Sequence, residues 1–367
     1  MTDPSVPPVP GDPLVQGSAA SDGAAAPGAT DGGAAAPAVV PAPEAAAETG
    51  AAPVRLSAFS LEGRSVPGLY LVGWLASVMG VAVLLVSFMA AGNSAAPWLF
   101  LAGLLALTVG AFAATGSQAV ENARRTDLPY RGPSPVLVFL VVFPVTLLGI
   151  LIVLGPLSAL GLDARSPAAT TISLAVTMLA YVGVVRLLVV GPGALAWRDM
   201  GLALPAGAAV RDLLVGAVFA VPVLVVTILL SGLLSRFLQP SASPLPPAGD
   251  ALGLVLNLLS AALLAPIGEE LFFRGFATTA WARAIGAGPA IVRGAIFFAL
   301  VHVLTQLDSS FGEGVQRALF SFVALLPVSL ALGWLFLRRG SLYAAIGLHA
   351  AFNGLQLIVL FAAASSS

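Results

Sequence analysis

The chain contains no cysteine and no lysine. Without thiols there is no disulfide, no thiolate metal site and no cysteine nucleophile, and the redox compartment stays open. All sixteen basic residues are therefore arginine, and histidine occurs only twice, as His302 and His349. Charge itself is scarce: 9% of 367 residues are charged, where soluble domains carry about 25%. Apolar residues fill the gap, at 58% with a mean hydropathy of +0.99, against about 45–50% apolar in soluble domains. This composition belongs to an integral membrane protein with many spans. The net charge of −1 offers no electrostatic footprint for nucleic acid, so no nucleic-acid partner is expected.

The first residues, MTDPSVPPVPGDP, lack a basic stretch followed by an apolar one, so they do not read as a secretory signal peptide. Residues 1–66 are rich in Ala, Pro and Gly with scattered acids. Such a segment has too little apolar surface to bury a core, and it reads as a disordered cytoplasmic tail. Beyond it, a bilayer crossing needs about 20 mostly apolar residues. Nine stretches qualify, near 68–90, 97–119, 136–157, 170–192, 211–234, 251–276, 289–304, 317–337 and 342–363. Pro, Gly and charge clusters separate them, and no strand signal competes. The fold class is all-α, a polytopic transmembrane helix bundle. Residues 67–235 form accessory spans, and 250–363 form the segment that carries the chemistry.

Arginine placement tests this threading, since cytoplasmic loops carry the excess of basic residues. With the N-terminus inside, the inner segments hold Arg55, Arg64, Arg124, Arg125, Arg131, Arg198, Arg211, Arg283, Arg293, Arg338 and Arg339. The outer ones hold Arg165, Arg236 and Arg317. Eleven against three supports both the count of spans and a cytoplasmic N-terminus. Two spans are unusual. The sixth is interrupted by Pro266 and Gly268, and the seventh is short and contains Arg293 and His302. A crossing that short and polar is expected to sit among protein rather than lipid.

The sixth span also contains IGEELFFRGF, residues 267–276, which puts Glu269, Glu270 and Arg274 into an apolar setting. One charge at mid-bilayer costs about 2.5–3.5 kcal/mol on insertion scales, so three need a reason. Glu270 and Arg274 are spaced i, i+4 with the acid first, the favourable order for a pair. Adjacent helical residues point about 100° apart, so Glu269 faces elsewhere, with no local partner. An unpaired acid in such a setting can serve as a general base. His302 lies one turn after Phe298, and His349 one turn before Asn353, each pair on one helix face. Counting rises of 1.5 Å per residue puts Glu269 about 21 Å, His302 about 20 Å, Asn353 about 18 Å and His349 about 12 Å from the inner ends of their spans. All four fall on the cytosolic side or near the midplane. Taken one at a time, an intramembrane His or Asn is most often a helix-to-helix hydrogen-bonding residue. Taken together, ionisable groups inside spans point to function.

An acid, two imidazoles and an amide supply a base, a polarising partner and oxyanion donors, which suits attack of water on a peptide carbonyl. Other designs fit less well. The two histidines are too far apart for a zinc HExxH helix, no pair of Asp residues occupies spans, and the nearest Gly-x-Ser lies in a short loop at 92–95. The same residues leave two further readings open. One is a non-catalytic membrane protein with an immunity or scaffolding role. The other is a proton-coupled transporter, against which the absence of repeated halves counts.

In EELFFR (269–274), FALVH (298–302) and HAAFN (349–353), the sequence resembles the CPBP intramembrane proteases (CAAX protease and bacteriocin-processing, or Abi, family), whose pattern is EExxxR, FxxxH and HxxxN in that order on separate helices. The resemblance covers about 250–360. It implies an intramembrane protease with Glu269 as the base that activates water, His302 assisting, and His349 and Asn353 stabilising the oxyanion. Glu270, Arg274 and Phe298 would support the site or position substrate. The family has been described both as glutamate and as metalloproteases. Glu269, His302 and His349 are of the types that ligate zinc, and the reading here favours no metal. Lysine-free, alanine-rich composition reads as a bacterium of high GC content, hence an inner-membrane location with the site toward the cytoplasmic half. Prenylation is eukaryotic chemistry. The expected partner is therefore a membrane-tethered peptide or protein substrate rather than a prenylated one.

Overall fold

A computed structural model of the chain describes residues 64–241, 245–304 and 311–366. Nearly all of the expected N-terminal tail, residues 1–63, lies outside the described residues. The described residues contain nine long helices and no strand: α1 Pro67–Met89, α2 Ala96–Ala123, α3 Pro135–Ala159, α4 Pro167–Val190, α5 Ala206–Leu234, α6 Ala251–Ile285, α7 Ala287–Val303, α8 Phe311–Arg339 and α9 Leu342–Ser366. Eight are long and apolar enough to cross a membrane, and α7, at 17 residues, is the short one. The protein is an integral membrane helix bundle.

Local chemistry sets the helix ends. Pro67, Pro135 and Pro167 occupy first-turn positions, where the missing N–H costs nothing. The Ser166 hydroxyl accepts from the Ala169 N–H at 3.2 Å, and the Asp250 carboxylate accepts from the Gly253 N–H at 2.7 Å; each satisfies an orphan donor at a helix start. A single residue, Gly286, separates α6 from α7, and its φ of 86° lies in the left-handed region that favours glycine. Gly340 and Ser341 separate α8 from α9. The chemically loaded segments thus form two tight hairpins, which brings their motifs to comparable depth.

Helix α6 is the hub. Its Phe272, Phe273 and Phe276 are buried among Phe139 of α3, Tyr181 of α4 and Phe297 and Phe298 of α7. Helices α5 and α9 approach backbone to backbone. A Cβ on Gly347 would fall 2.1 Å from the carbonyl oxygen of Leu213, and one on Gly216 would fall 2.1 Å from that of Ala344. Only glycine permits that crossing, as small residues do generally where membrane helices touch. Helix α7 corrects one expectation. It is not enclosed by protein: Val292, Ile296 and Leu300 form an exposed apolar stripe four residues apart. The polar His302 projects from another face, so the short helix can present hydrocarbon to lipid and polarity to the bundle.

Helix α6 is also longer than its apolar run suggested. It continues past 276 to Ile285, through TTAWARAI, with Trp281 buried. Two stretches of it, Leu259–Leu264 and Leu271–Thr278, are π-helical and flank the two glutamates. Such widenings are frequent at functional positions.

Candidate active site

The π-helical turn ahead of the glutamates has a visible cause. Within it each N–H reaches back five residues, as Ala265 does to the Ser260 carbonyl. The next bond in that pattern would run from residue 266 to the Ala261 carbonyl, but residue 266 is proline and has no N–H to give. The side-chain amide of Asn353 on α9 donates to that carbonyl instead, at 2.8 Å. One residue of the α9 motif therefore repairs the backbone of α6 just upstream of the glutamates.

Glu270 and Arg274 do pair, at 2.9 Å, and both are buried. Their reach is wider than a local pair. Arg274 also donates to the Ser329 hydroxyl of α8 at 2.9 Å, and its guanidinium lies 4.3 Å from the centre of the Phe298 ring on α7. Glu270 Oε1 in addition meets His349 Nδ1 of α9 at 2.8 Å. One acid and one base thereby tie four helices together. The resemblance assigned Glu270 and Arg274 a supporting place. The contacts to Ser329 and His349 were not foreseen. A polar Ser two residues after Pro327 within an apolar span was the available signal for the first.

Glu269, the next residue, turns away from this cluster. It lines a cavity, with its side chain 18% exposed. Its Oε2 lies 3.7 Å from His302 Nε2 and 3.9 Å from His349 Nε2. The opposite ring nitrogens fix the tautomers. His302 Nδ1 sits 2.9 Å from the Phe298 carbonyl, which can only accept, so Nδ1 carries a proton. His349 Nδ1 faces the Glu270 carboxylate and carries one for the same reason. In the neutral rings both Nε2 atoms then bear lone pairs toward Glu269. The Phe298 ring packs against the His302 ring, tilted by 37° with centroids 4.2 Å apart. The four residues read from the sequence, Glu269, His302, His349 and Asn353, line one cavity of about 570 Å³.

Residues 251–355 match the model of the Rce1-like family, described as type II CAAX prenyl endopeptidase Rce1-like. Over this segment the chain is similar to that family. No curated protein and no solved structure matches the chain. The match is consistent with the CPBP resemblance and begins where α6 begins. Every residue of the three motifs lies inside it.

The wall of the cavity away from the glutamate is mostly apolar, with Leu325, Val328, Leu332 and Phe352 from α8 and α9. Helix α4, outside the matched segment, contributes Thr170, Ser173 and Thr177. This row was missed in the sequence, although three hydroxyls at spacings of three and four within an apolar run were there to see. The donor types of Glu269, His302 and His349 are ones that zinc accepts. Zinc bonds of about 2.0–2.2 Å set tetrahedral ligand atoms about 3.3 Å apart, and the 3.7 and 3.9 Å separations are wider. Among the described residues no group of three or more such side chains is arranged to hold a metal ion.

Proposed function

We propose that this protein is an intramembrane endopeptidase that hydrolyses a peptide bond of a membrane-tethered peptide or protein substrate. At the family level the matched segment is of CAAX-type intramembrane protease. The observation that carries the finer reading is the approach of Glu269 Oε2 to the Nε2 atoms of His302 and His349 at the wall of a cavity. Two imidazole lone pairs and a carboxylate facing one another make a nest of acceptors. A water molecule is the smallest group that can give hydrogen bonds to them.

In this reading the water donates one proton toward Glu269, with its other hydrogen held by His302. Its oxygen attacks the peptide carbonyl carbon, Glu269 takes the proton, and the carbonyl π electrons move onto oxygen. Asn353 uses one amide hydrogen on Ala261; its second remains for that oxyanion. His349 can add a donor only when doubly protonated, and Glu270 on the far side of its ring is the counter-charge for that form. Collapse of the tetrahedral intermediate breaks the C–N bond, and Glu269 returns its proton to the leaving amine. General acid–base help of this kind contributes about 10²–10⁴-fold, and an oxyanion donor about 10²–10³-fold.

The test is comparative proteomics of membrane peptides in cells carrying the wild type or Glu269→Gln. Gln keeps the size and loses the base, so cleaved peptides should disappear while the protein still inserts. Persistence of the same peptides in the variant would end the assignment.

A further inference from the structure

The cavity runs in one direction from the glutamate. Besides the motif residues it is lined by Ala164 in the α3–α4 connection, Leu245 in the α5–α6 connection and Leu360 near the end of α9. Ala164 and Leu360 are exposed, so the cavity reaches the surface there. His302 lies in the last turn of α7, at the same end. None of the connections at the opposite end of the bundle lines it.

Arginine separates these two ends. The connections away from the cavity mouth, with the helix turns that flank them, hold Arg124, Arg125 and Arg131 (α2–α3), Arg198 (α4–α5), Arg283 (α6–α7) and Arg338 with Arg339 (α8–α9). Those on the mouth side hold Arg165, Arg236 and Arg317. Arginine excess marks the cytoplasmic face of short membrane loops.

The α4 wall says what kind of ligand enters. The hydroxyls of Thr170, Ser173 and Thr177 give their protons to carbonyls of their own helix, at 3.2, 3.0 and 2.8 Å. With their protons so engaged, their oxygens keep lone pairs that a ligand's donors can reach. A row of acceptors in an apolar chamber suits the unpaired N–H groups of an extended polypeptide.

We infer that the cavity is entered from the arginine-poor, non-cytoplasmic face, and that its substrate is a polypeptide segment on that side of the membrane, laid along the α4 hydroxyl row. The inference rests on the protease reading for what happens to the segment, but not for the side from which it comes.

Because the chain has no cysteine, single thiols report position without background. Ala164→Cys marks the mouth, Ser173→Cys the wall, and Ala123→Cys the arginine-rich face. Each full-length variant is treated with a membrane-impermeant maleimide in right-side-out and in inside-out vesicles, and its total thiol is read after denaturation. In right-side-out vesicles Ala164→Cys and Ser173→Cys should label while Ala123→Cys stays unlabelled, and inside-out vesicles should reverse the pattern. Labelling of Ser173→Cys from the side of Ala123→Cys overturns the inference. So does labelling from neither side with full labelling on denaturation, or labelling of Ala123→Cys in right-side-out vesicles. No cleavage is needed for this readout, so it is decided separately from the Glu269→Gln comparison.

Discussion

Glu269 and Glu270 are consecutive, yet one lines a cavity and the other is buried against an arginine and a histidine. The helix alone separates them, since neighbouring residues point about 100° apart. Removing one partner of a buried pair leaves an uncompensated charge, which costs about 3–5 kcal/mol. Arg274→Met should therefore sharply lower the thermal unfolding temperature in detergent. Combining it with Glu270→Gln should recover part of the loss, because the stranded carboxylate is then gone; a double variant no more stable than Arg274→Met would show that charge is not the cause. At this scale much was readable in advance. The i, i+4 order identified the pair, and the rotation left Glu269 as the acid apart from it. The bond from Glu270 to His349 was not readable, because it joins positions 79 residues apart and no periodicity within one helix encodes a contact between two.

Among the elements, α6 is the one whose shape depends on another helix. Pro266 withholds an N–H from the Ala261 carbonyl, and Asn353 supplies one. Asn353→Ala should cost about 1–3 kcal/mol by leaving a carbonyl unpaired. In a Pro266→Ala background residue 266 regains its N–H, and the same substitution should cost less. Unfolding of the four proteins of that cycle gives the coupling, expected at about 1 kcal/mol; additive effects would sever the link drawn here. The helical stretches were legible from apolar length, to within a few residues for most. The π-helical turns were not, because the proline announces a missing donor without saying how the backbone absorbs it. The α4–α5 connection makes a pH-dependent claim. The Asp199 carboxyl is held below its ordinary value of 3.8, first by the Ala196 N–H and further by Arg283 at the end of α6, against the opposing pull of burial. A depressed acid contributes stability above its unfolded pKa and loses it as pH falls through the folded one. Asp199→Ala should cost about 1 kcal/mol at neutral pH and nothing in acid well below both values, as read from unfolding temperatures across pH. A cost independent of pH would mean the carboxylate's charge plays no part.

At the scale of the whole molecule, the outward faces of α1 and α5 are apolar, with Leu75, Val78, Leu214 and Val218 exposed, as lipid contact requires. Scarcity of charge was enough to announce a membrane bundle. It did not reveal that α7 would expose a stripe to lipid or that α4 would form a wall of the cavity, because composition says that a helix is buried in something without saying in what. The central claim is that Glu269 takes a proton from water that attacks a peptide bond. It is tested most directly with purified protein in liposomes, given a membrane peptide in ¹⁸O-labelled water. Wild type should release a product whose new carboxyl terminus has gained a single labelled oxygen, and Glu269→Gln should release none. Cleavage by Glu269→Gln at the wild-type rate would contradict it.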